Sequence, residues 1–362
     1  MTLTIRKKDK HLSQHIFFGL LDDFINDSHS GKRLKKNGTR ISPATVETYG
    51  YFKRVVTLFT EETSFEVKLF IVDNLTQREK QVAANYWRKF YKAFTNFMYN
   101  KMGYYDNYVG NIIKTLRTFL NYLTEERHIN IGVFHKSFYA PKEEIDIITL
   151  NREQLNYIIF NEEFDRLVKQ HDLEKIKDIF VFGCTVALRV SDLLSLTRKN
   201  LVIQNDKYYL NVRSQKTKTK TSIKLPDYAI DIIKKYKGQQ ATLLPYISKA
   251  WLGNQLKEMG KLIPDNFEIV KTRERRGKQV VVYKDPKRKK HYKLSDHLST
   301  HTMRRTGITT MLNLGMPEHL VRKISGHAAN SREFFRYVEL SQSFIDEQTD
   351  KVFEKLNDIQ YA

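Results

Sequence analysis

Ala83, Tyr86, Trp87, Phe90, Phe94, Phe97 and Met98 follow one another at steps that wind onto one face of a helix. A strand would scatter the same rings over both of its faces, so this stretch has to be a helix lying against a core. Two further stripes repeat the pattern. Tyr49, Phe52, Val55, Val56 and Phe59 run behind Ser42, placed as an N-cap, and Pro43, placed at the first helical position. Val109, Ile112, Ile113, Leu116, Phe119, Leu120 and Leu123 form the third. An earlier helix is predicted from Ser13 to Asn26, and the first part of the chain therefore reads as a helical bundle whose rings are core rather than a platform for stacked bases.

With 362 residues the chain has room for two domains, and its 41% hydrophobic and 28% charged residues exclude collagen-like and disordered classes. Lys and Arg number 62 against 41 Asp and Glu, and the resulting +21 points to a polyanionic partner. No apolar run is long enough to cross a bilayer, and the opening M-T-L-T-I-R-K-K-D-K lacks the apolar core of a signal peptide, which favours nucleic acid over a membrane surface. A single cysteine, Cys184, excludes internal disulfides and cysteine-based zinc clusters; V-F-G-C-T-V-A-L reads as a buried helix in which the thiol is a small hydrophobe. The expectation is a cytoplasmic protein with no cofactor and no metal.

Between the first two helices lies H-S-G-K-R-L-K-K-N-G-T-R, either a solvated connection or, through Lys32, Arg33, Lys35, Lys36 and Arg40, a loop that contacts phosphates. Pro141 and the acidic patch after it break the helical pattern. Residues 141–150 are therefore predicted to link a helical domain over 13–140, preceded by a stub of residues 1–12, to a second domain over 151–362. Helical segments run to about Leu196; K-Y-Y-L-N-V-R-S-Q and T-S-I-K-L-P then flank K-T-K-T-K, two β-prone runs around a polar turn. A basic insertion is predicted over 253–298. Its V-V-V-Y suggests a hairpin that presents Arg273, Arg275, Arg276, Lys287, Arg288, Lys289 and Lys290 to a phosphate backbone, a solvated charged loop being the alternative. The class is mainly α with a small β-sheet, the second domain being α+β.

Arg189 interrupts the apolar stretch G-C-T-V-A-L-R-V-S-D-L-L. A buried guanidinium without a partner is costly, so Arg189 either pairs with a carboxylate, for which Asp192 is placed three residues on, or faces a cleft that receives an anion. His301 and Arg304 in S-T-H-T-M-R share a helix face at the start of another helix, and aim at the same kind of object. Further on, S-G-H-A-A-N-S-R-E-F-F-R-Y brings His327 and Tyr337. Of the 20 tyrosines only Tyr337 and Tyr361 lie beyond Arg304, and Tyr361 is next to the last residue.

Taken in this order, these segments resemble the tyrosine recombinase (phage integrase) family, whose catalytic domain carries an Arg in an A-L-R-x-S-D/E-like segment, a Lys in a β-hairpin, H-x-x-R, G-H and a Tyr shortly beyond. The resemblance implies Arg189, Lys216, His301, Arg304 and His327 as the phosphate-activating group, Tyr337 as nucleophile and Asp192 as supporting acid. It implies a SAM-like core-binding domain in the first half that closes a clamp on DNA together with the catalytic domain. It also implies double-stranded core sites as substrate, a 3′-phosphotyrosyl intermediate and a Holliday junction, and a homo-tetramer on DNA formed by a protein that is monomeric when free. Accessory directionality or host DNA-bending factors and a nucleoid-associated location belong to the same expectation. The basic insertion looks most like integrases of Bacteroides-type conjugative transposons and related mobile elements.

Two features depart from the family pattern. The step from His327 to Tyr337 is one residue longer than in many members, and K-T-K-T-K offers Lys216, Lys218 and Lys220 for one role, of which Lys216 in S-Q-K-T matches the family's turn best. After Tyr337, S-Q-S-F-I-D-E-Q-T-D-K-V-F-E-K-L-N predicts a helix over 343–358 with Ser343 as its cap. Type IB topoisomerases use the same chemistry, and the net charge alone would suit a non-enzymatic DNA-binding protein; a covalent DNA adduct separates the last from the first two.

Overall fold

The computed structural model describes residues 9–215, 217–238, 241–328, 331–339, 346, 349–351 and 353–354. The chain divides into two units, one made of the chain up to Ile145 together with Thr272–Val281, the other of Asp146–Lys271 and the chain from Val282 onward.

The first unit begins with β1 (His11–Leu12), α1 (Gln14–Ser30) and α2 (Pro43–Thr63), followed by β2 (Leu69–Phe70), antiparallel to β1, and the long helices α3 (Gln77–Asn100) and α4 (Asp106–Glu125). Helix α1 runs a turn beyond the predicted end because its stop signal is Gly31, whose φ of 85° closes the helix in the left-handed region. Ser42 caps α2, its hydroxyl accepting from the Thr45 amide, and Thr76 with Glu79 forms a capping box on α3. All three predicted stripes turn inward. Phe17, Phe24, Phe52, Phe59, Phe90, Phe94 and Phe119 are wholly buried, and the Phe119 ring meets those of Phe17 at 5.4 Å and Phe24 at 5.5 Å between centroids. Each such ring contributes roughly 1.5–3 kcal/mol by leaving water, so Phe119→Ala would cost about 3–5 kcal/mol.

The second unit opens with α5 (Arg152–Phe160), capped by Asn151, then α6 (Glu162–Gln170), α7 (Glu174–Val186) and α8 (Val190–Leu194). An antiparallel sheet of β3 (Leu201–Gln204), β4 (Lys207–Arg213) and β5 (Lys220–Lys224) follows, with Leu210 opposite both Leu201 and Ile223. The β4–β5 hairpin is the expected one; β3 carries only four residues and gives too short an alternation to be read from sequence. Next come α9 (Asp227–Lys235) and α10 (Lys249–Gly260). The predicted insertion boundary at 253 falls inside α10, because Leu252, Leu256 and Met259 bury on one face and carry the helix on to Gly260.

Strand β6 (Glu268–Ile269) precedes the hairpin of β7 (Lys271–Arg275) and β8 (Lys278–Val282) at the predicted V-V-V-Y, and its two-residue turn has Arg276 and Gly277 both at positive φ, 57° and 71°. Strand β9 (Tyr292–Lys293) then pairs with β6, and α11 (Leu294–His297), α12 (Thr300–Asn313), α13 (Glu318–Ser325) and α14 (Arg332–Glu339) complete the described elements. The helix predicted over 343–358 lies largely outside the described residues; those described within it are helical. Helix α7 is the axis of this unit, buried from Ile176 to Cys184, and α12 crosses it so closely that a Cβ on Gly307 would stand 2.0 Å from the Cys184 carbonyl oxygen.

Candidate active site

Arg189 does not sit inside a helix. Helix α7 ends at Val186, Ala187 adopts φ 49°, and Arg189 is the extended residue that opens α8. Nor does Asp192 pair with Arg189 directly. Arg189 Nη1 donates to Ser214 Oγ at 3.2 Å, and that hydroxyl donates onward to Asp192 Oδ2 at 3.1 Å. The other carboxylate oxygen, Oδ1, accepts the Gln215 amide at 3.0 Å. Asp192 is 3% exposed, a burial that only such donors make tolerable, and the result is a carboxylate that ties α8 to the turn between β4 and β5. Lys216 lies outside the described residues. Its neighbours are anchored: Lys218 N donates to Ser214 O, Thr217 Oγ1 to Gly326 O and Thr221 Oγ1 to Ile324 O. Lys218 and Lys220 are exposed.

Helix α12 supplies His301 and Arg304 from its first turns, behind Ser299 and Thr302 in a reciprocal cap. Arg304 is 5% exposed; its Nη1 donates to Ala187 O at 3.1 Å, the carbonyl freed by the break after α7. Its Nη2 lies 3.0 Å from His327 Nε2. A guanidinium has no lone pair, so the imidazole accepts through Nε2 and carries its proton on Nδ1, which donates to Ser325 Oγ at 2.8 Å. Ser325 in turn donates to Val321 O at 2.7 Å. These contacts suit a neutral His327. Burial, with Arg304, Arg189 and Arg322 close by, holds its pKa down at about 3. Burial beside Arg189 lowers Arg304 to about 10, which leaves it cationic at neutral pH. His301 is also lowered, by the walls of the concave surface around it and then by Arg305, Lys249 and Arg304.

Gly326, at φ 65°, ends α13 and turns the chain so that His327 faces Arg304. Arg322 holds the next turn in place: it pairs with Glu318, donates to Ala328 O at 3.4 Å and stacks on the Phe334 and Phe335 rings at 4.5 and 4.7 Å. Tyr337, 8% exposed, packs with Phe334 in a small cluster that includes Ala187, Ile308 and Val321, and its ring centroid lies 5.9 Å from that of His327. A cleft of about 440 Å³ is lined by Arg189, His301, Arg304, His327 and Tyr337 together.

Residues 174–343, which hold all of these side chains, match the model of the phage integrase family. The chain carries a phage integrase family domain. Its fold is similar to that of a lambda integrase dimer bound to a COC′ core site, with a TM-score of 0.60 at 13% identity over 91% of this chain and 77% of that one. A lambda integrase tetramer bound to a Holliday junction gives 0.59 at 15% over 91% and 78%, and the XerH site-specific recombinase in a post-cleavage complex with palindromic difH substrate gives 0.56 at 13% over 84% and 79%. Comparison of the sequence with curated proteins gives no match.

The cleft also takes in Lys249, Arg305, Glu333 and Arg336, with Ile147, Val190 and Ser191, none of which the sequence singled out. Glu333 and Arg336 were within reach of a helical reading, since they flank Tyr337 on α14; Lys249, on a different helix, carried no signal. The expected phosphate contacts divide into two groups. Lys32, Lys35, Lys36 and Arg40 are exposed, as are Lys287, Arg288, Lys289 and Lys290 in the turn after β8. Arg33 instead bonds Glu126 at 2.8 Å and stacks on Phe24 at 4.7 Å.

The hairpin arginines are likewise occupied inside the first unit. Arg273 pairs with Glu143, Arg275 donates to Tyr99 O, and Arg276 bonds Asn96 at 2.9 Å. Asp106, 2% exposed, accepts the Arg276 and Gly277 amides, each at 2.8 Å, and the Tyr99 hydroxyl at 2.6 Å. These three arginines are engaged because the hairpin covers two buried carboxylates, Asp106 and Glu143. Among the described residues no group of His, Cys, Asp or Glu has metal-binding geometry, and no helix is long and apolar enough to cross a membrane.

Proposed function

We propose that this protein is a tyrosine recombinase, which cleaves and rejoins DNA at double-stranded core sites through a 3′-phosphotyrosyl intermediate. The reading is carried by one observation: Arg189, His301, Arg304, His327 and Tyr337, spread over 149 positions of sequence, line one cleft. The two guanidiniums neutralise the non-bridging oxygens of the scissile phosphate, whose charge concentrates in the pentavalent transition state. Two of the five Arg304 N–H groups are taken by Ala187 O and His327, which fixes the plane of the guanidinium and leaves the rest for phosphate.

Tyrosine ionises near pH ~10 and needs a base to attack at neutral pH. His301 is the imidazole for that task, because its lowered pKa keeps it neutral while the His327 lone pair is spent on Arg304. As the Tyr337 oxygen bonds to phosphorus the bond to O5′ breaks, Lys216 gives its proton to the leaving 5′-hydroxyl, and the Tyr337 proton passes to His301. The phosphotyrosyl ester conserves the bond energy, so a 5′-hydroxyl from a second duplex reseals the strand. Two rounds exchange the duplexes through a Holliday junction, in a tetramer that integrates or excises a mobile element, of the Bacteroides conjugative-transposon kind to judge from the basic insertion. It acts on nucleoid DNA in the cytoplasm, with directionality or DNA-bending factors.

The test is covalent capture. Incubation with a randomised library of nicked suicide duplexes should yield an SDS-resistant adduct and, on sequencing, a core site. Tyr337→Phe should abolish the adduct while binding survives. An adduct formed by Tyr337→Phe would remove Tyr337 from the role, and absence of any adduct from the unaltered protein would refute the reading.

A further inference from the structure

Arg322 is 9% exposed and does not line the cleft. Burying a guanidinium is costly, and a methionine or leucine would fill the same space between α13 and α14 with less loss. What a guanidinium has and an aliphatic chain lacks is a broad plane with donors fixed along its edge. Both are engaged here. Nε donates to Glu318 Oε1 at 2.6 Å, one turn back on α13, and Nη1 donates to Ala328 O at 3.4 Å, beyond the end of that helix. Against the group lie the Phe334 and Phe335 rings, their centroids 4.5 and 4.7 Å from Cζ.

Those two rings are neighbours in sequence, so they leave α14 about 100° apart around its axis. One group held against both fills the notch between them. A helix gripped at a single side chain can still roll about its axis, whereas a helix gripped at two such side chains cannot roll without lifting one of them. Phe335 is 48% exposed and meets no other ring among the described residues, so burial does not account for its place against Arg322. Phe334 carries the constraint inward. Its ring, wholly buried, lies 5.3 Å from that of His327 and 6.1 Å from that of Tyr337, and those two are 5.9 Å apart. Tyr337 follows Phe334 by three residues and shares its face of α14. At a side-chain radius of about 5–6 Å, a roll of about 10° moves an atom on that face by about 1 Å.

We propose that Arg322 is a positioning residue for the reaction: wedged between Phe334 and Phe335, it fixes the roll of α14 and so aims the Tyr337 hydroxyl into the cleft. This rests on the reading of Tyr337 as nucleophile. Arg322 touches neither DNA nor the scissile phosphate, and Phe335 serves as the outer jaw of the grip. Shape, rather than charge, is what the wedge supplies.

The experiment uses the full chain and the captured core site, and reads single-turnover cleavage together with the fluorine spectrum of protein that carries 3-fluorotyrosine in place of Tyr337. Arg322→Met keeps the length of the side chain and removes its plane; Glu318, 38% exposed, then finds water. This variant should bind DNA as the unaltered protein does and cleave about tenfold to a hundredfold more slowly at saturating DNA, the cost of misplacing a reacting atom by about 1 Å. Its fluorine signal should broaden or divide where the unaltered protein gives one. Arg322→Lys keeps the positive charge near His327 without the plane, and should be as slow as Arg322→Met. Phe335→Leu should also slow cleavage, and add nothing to Arg322→Met. Normal cleavage in Arg322→Met or Phe335→Leu, recovery in Arg322→Lys, or losses that multiply in the double variant would overturn the wedge. So would a loss of DNA affinity with an unchanged fluorine signal, the mark of a merely structural arginine. If Arg322→Met fails to fold, Phe335→Leu still decides, because that ring is half in water already. Failure of the underlying reading is distinguishable: the fluorine signal reports the seat of α14 whatever Tyr337 does, whereas an adduct that persists in Tyr337→Phe removes the nucleophile itself.

Discussion

Asp192→Asn isolates what the buried carboxylate does, because it changes one oxygen to an amide nitrogen at nearly constant volume. Asp192 accepts two bonds, from Ser214 Oγ at 3.1 Å and from the Gln215 amide at 3.0 Å, and at 3% exposure neither donor finds water in its place. The asparagine oxygen can serve one of them; the other then faces an NH2 group. An unsatisfied buried donor costs about 1–3 kcal/mol, and the lost charge weakens the remaining bond, so the expected loss of stability is about 2–4 kcal/mol. For a unit of this size that corresponds to a fall in Tm of roughly 4–16 °C. The functional consequence follows from the same two bonds, which hold the turn that carries Lys216 and orient the Ser214 hydroxyl under Arg189. Cleavage should fall about a hundredfold, equivalent to ~2.7 kcal/mol of transition-state stabilisation. Single-turnover cleavage of a core site with a 5′-bridging phosphorothiolate separates the two routes, since a thiolate leaves without a proton. Substantial rescue is expected, because what is chiefly lost is the proton supply proposed for Lys216. A variant that melts and cleaves like the unaltered protein would refute the argument, and a slow variant without rescue would show that Asp192 acts through Arg189 instead.

Three further outcomes are expected. His327, held near pKa 3 in the folded protein against an ordinary value near ~6.5, lends stability that is complete above about pH 6.5 and is lost as pH falls toward 3, so His327→Gln should flatten the fall of Tm over that window, as thermal melts would show. Gly307→Ala should cost about 3 kcal/mol or more and slow cleavage, because a Cβ 2.0 Å from the Cys184 carbonyl forces α12 off α7 and draws Arg304 away from Ala187; chemical denaturation and adduct formation read the two effects. Neutralising Lys287, Arg288, Lys289 and Lys290 together should weaken binding to every sequence and lower the salt slope by up to ~0.9 for each DNA phosphate that no longer meets a cation, whereas an unchanged slope would make that turn a solvated surface.

The helices of the first unit were legible because their stripes are long and strictly periodic: from Val109 to Leu123 every striped residue of α4 is buried. Arg189, His301, Arg304, His327 and Tyr337 were legible as an ordered set, but not the geometry that unites them. The break at Ala187 hides in sequence because alanine is an ordinary helix former, and its positive φ follows from the tertiary need to free a carbonyl for Arg304. Lys249 left no trace, since one lysine among many declares nothing until the fold brings it to the cleft. The hairpin arginines misled for a related reason. Their partners, Glu143 and Asp106, lie 130 and 170 positions away, and a charge run looks solvent-facing when the acids it covers are that remote.

That remoteness also has a consequence during synthesis. As the chain leaves the ribosome, α3 and α4 are complete long before Arg273 and Gly277 exist, so Asp106 and Glu143 wait without the amides and guanidinium that later satisfy them. At 5–20 residues per second the delay is roughly ten to thirty seconds. Through that interval the nascent first unit must keep both carboxylates in contact with water, and it reaches its final stability only when a strand pair translated in the middle of the second unit arrives to close it.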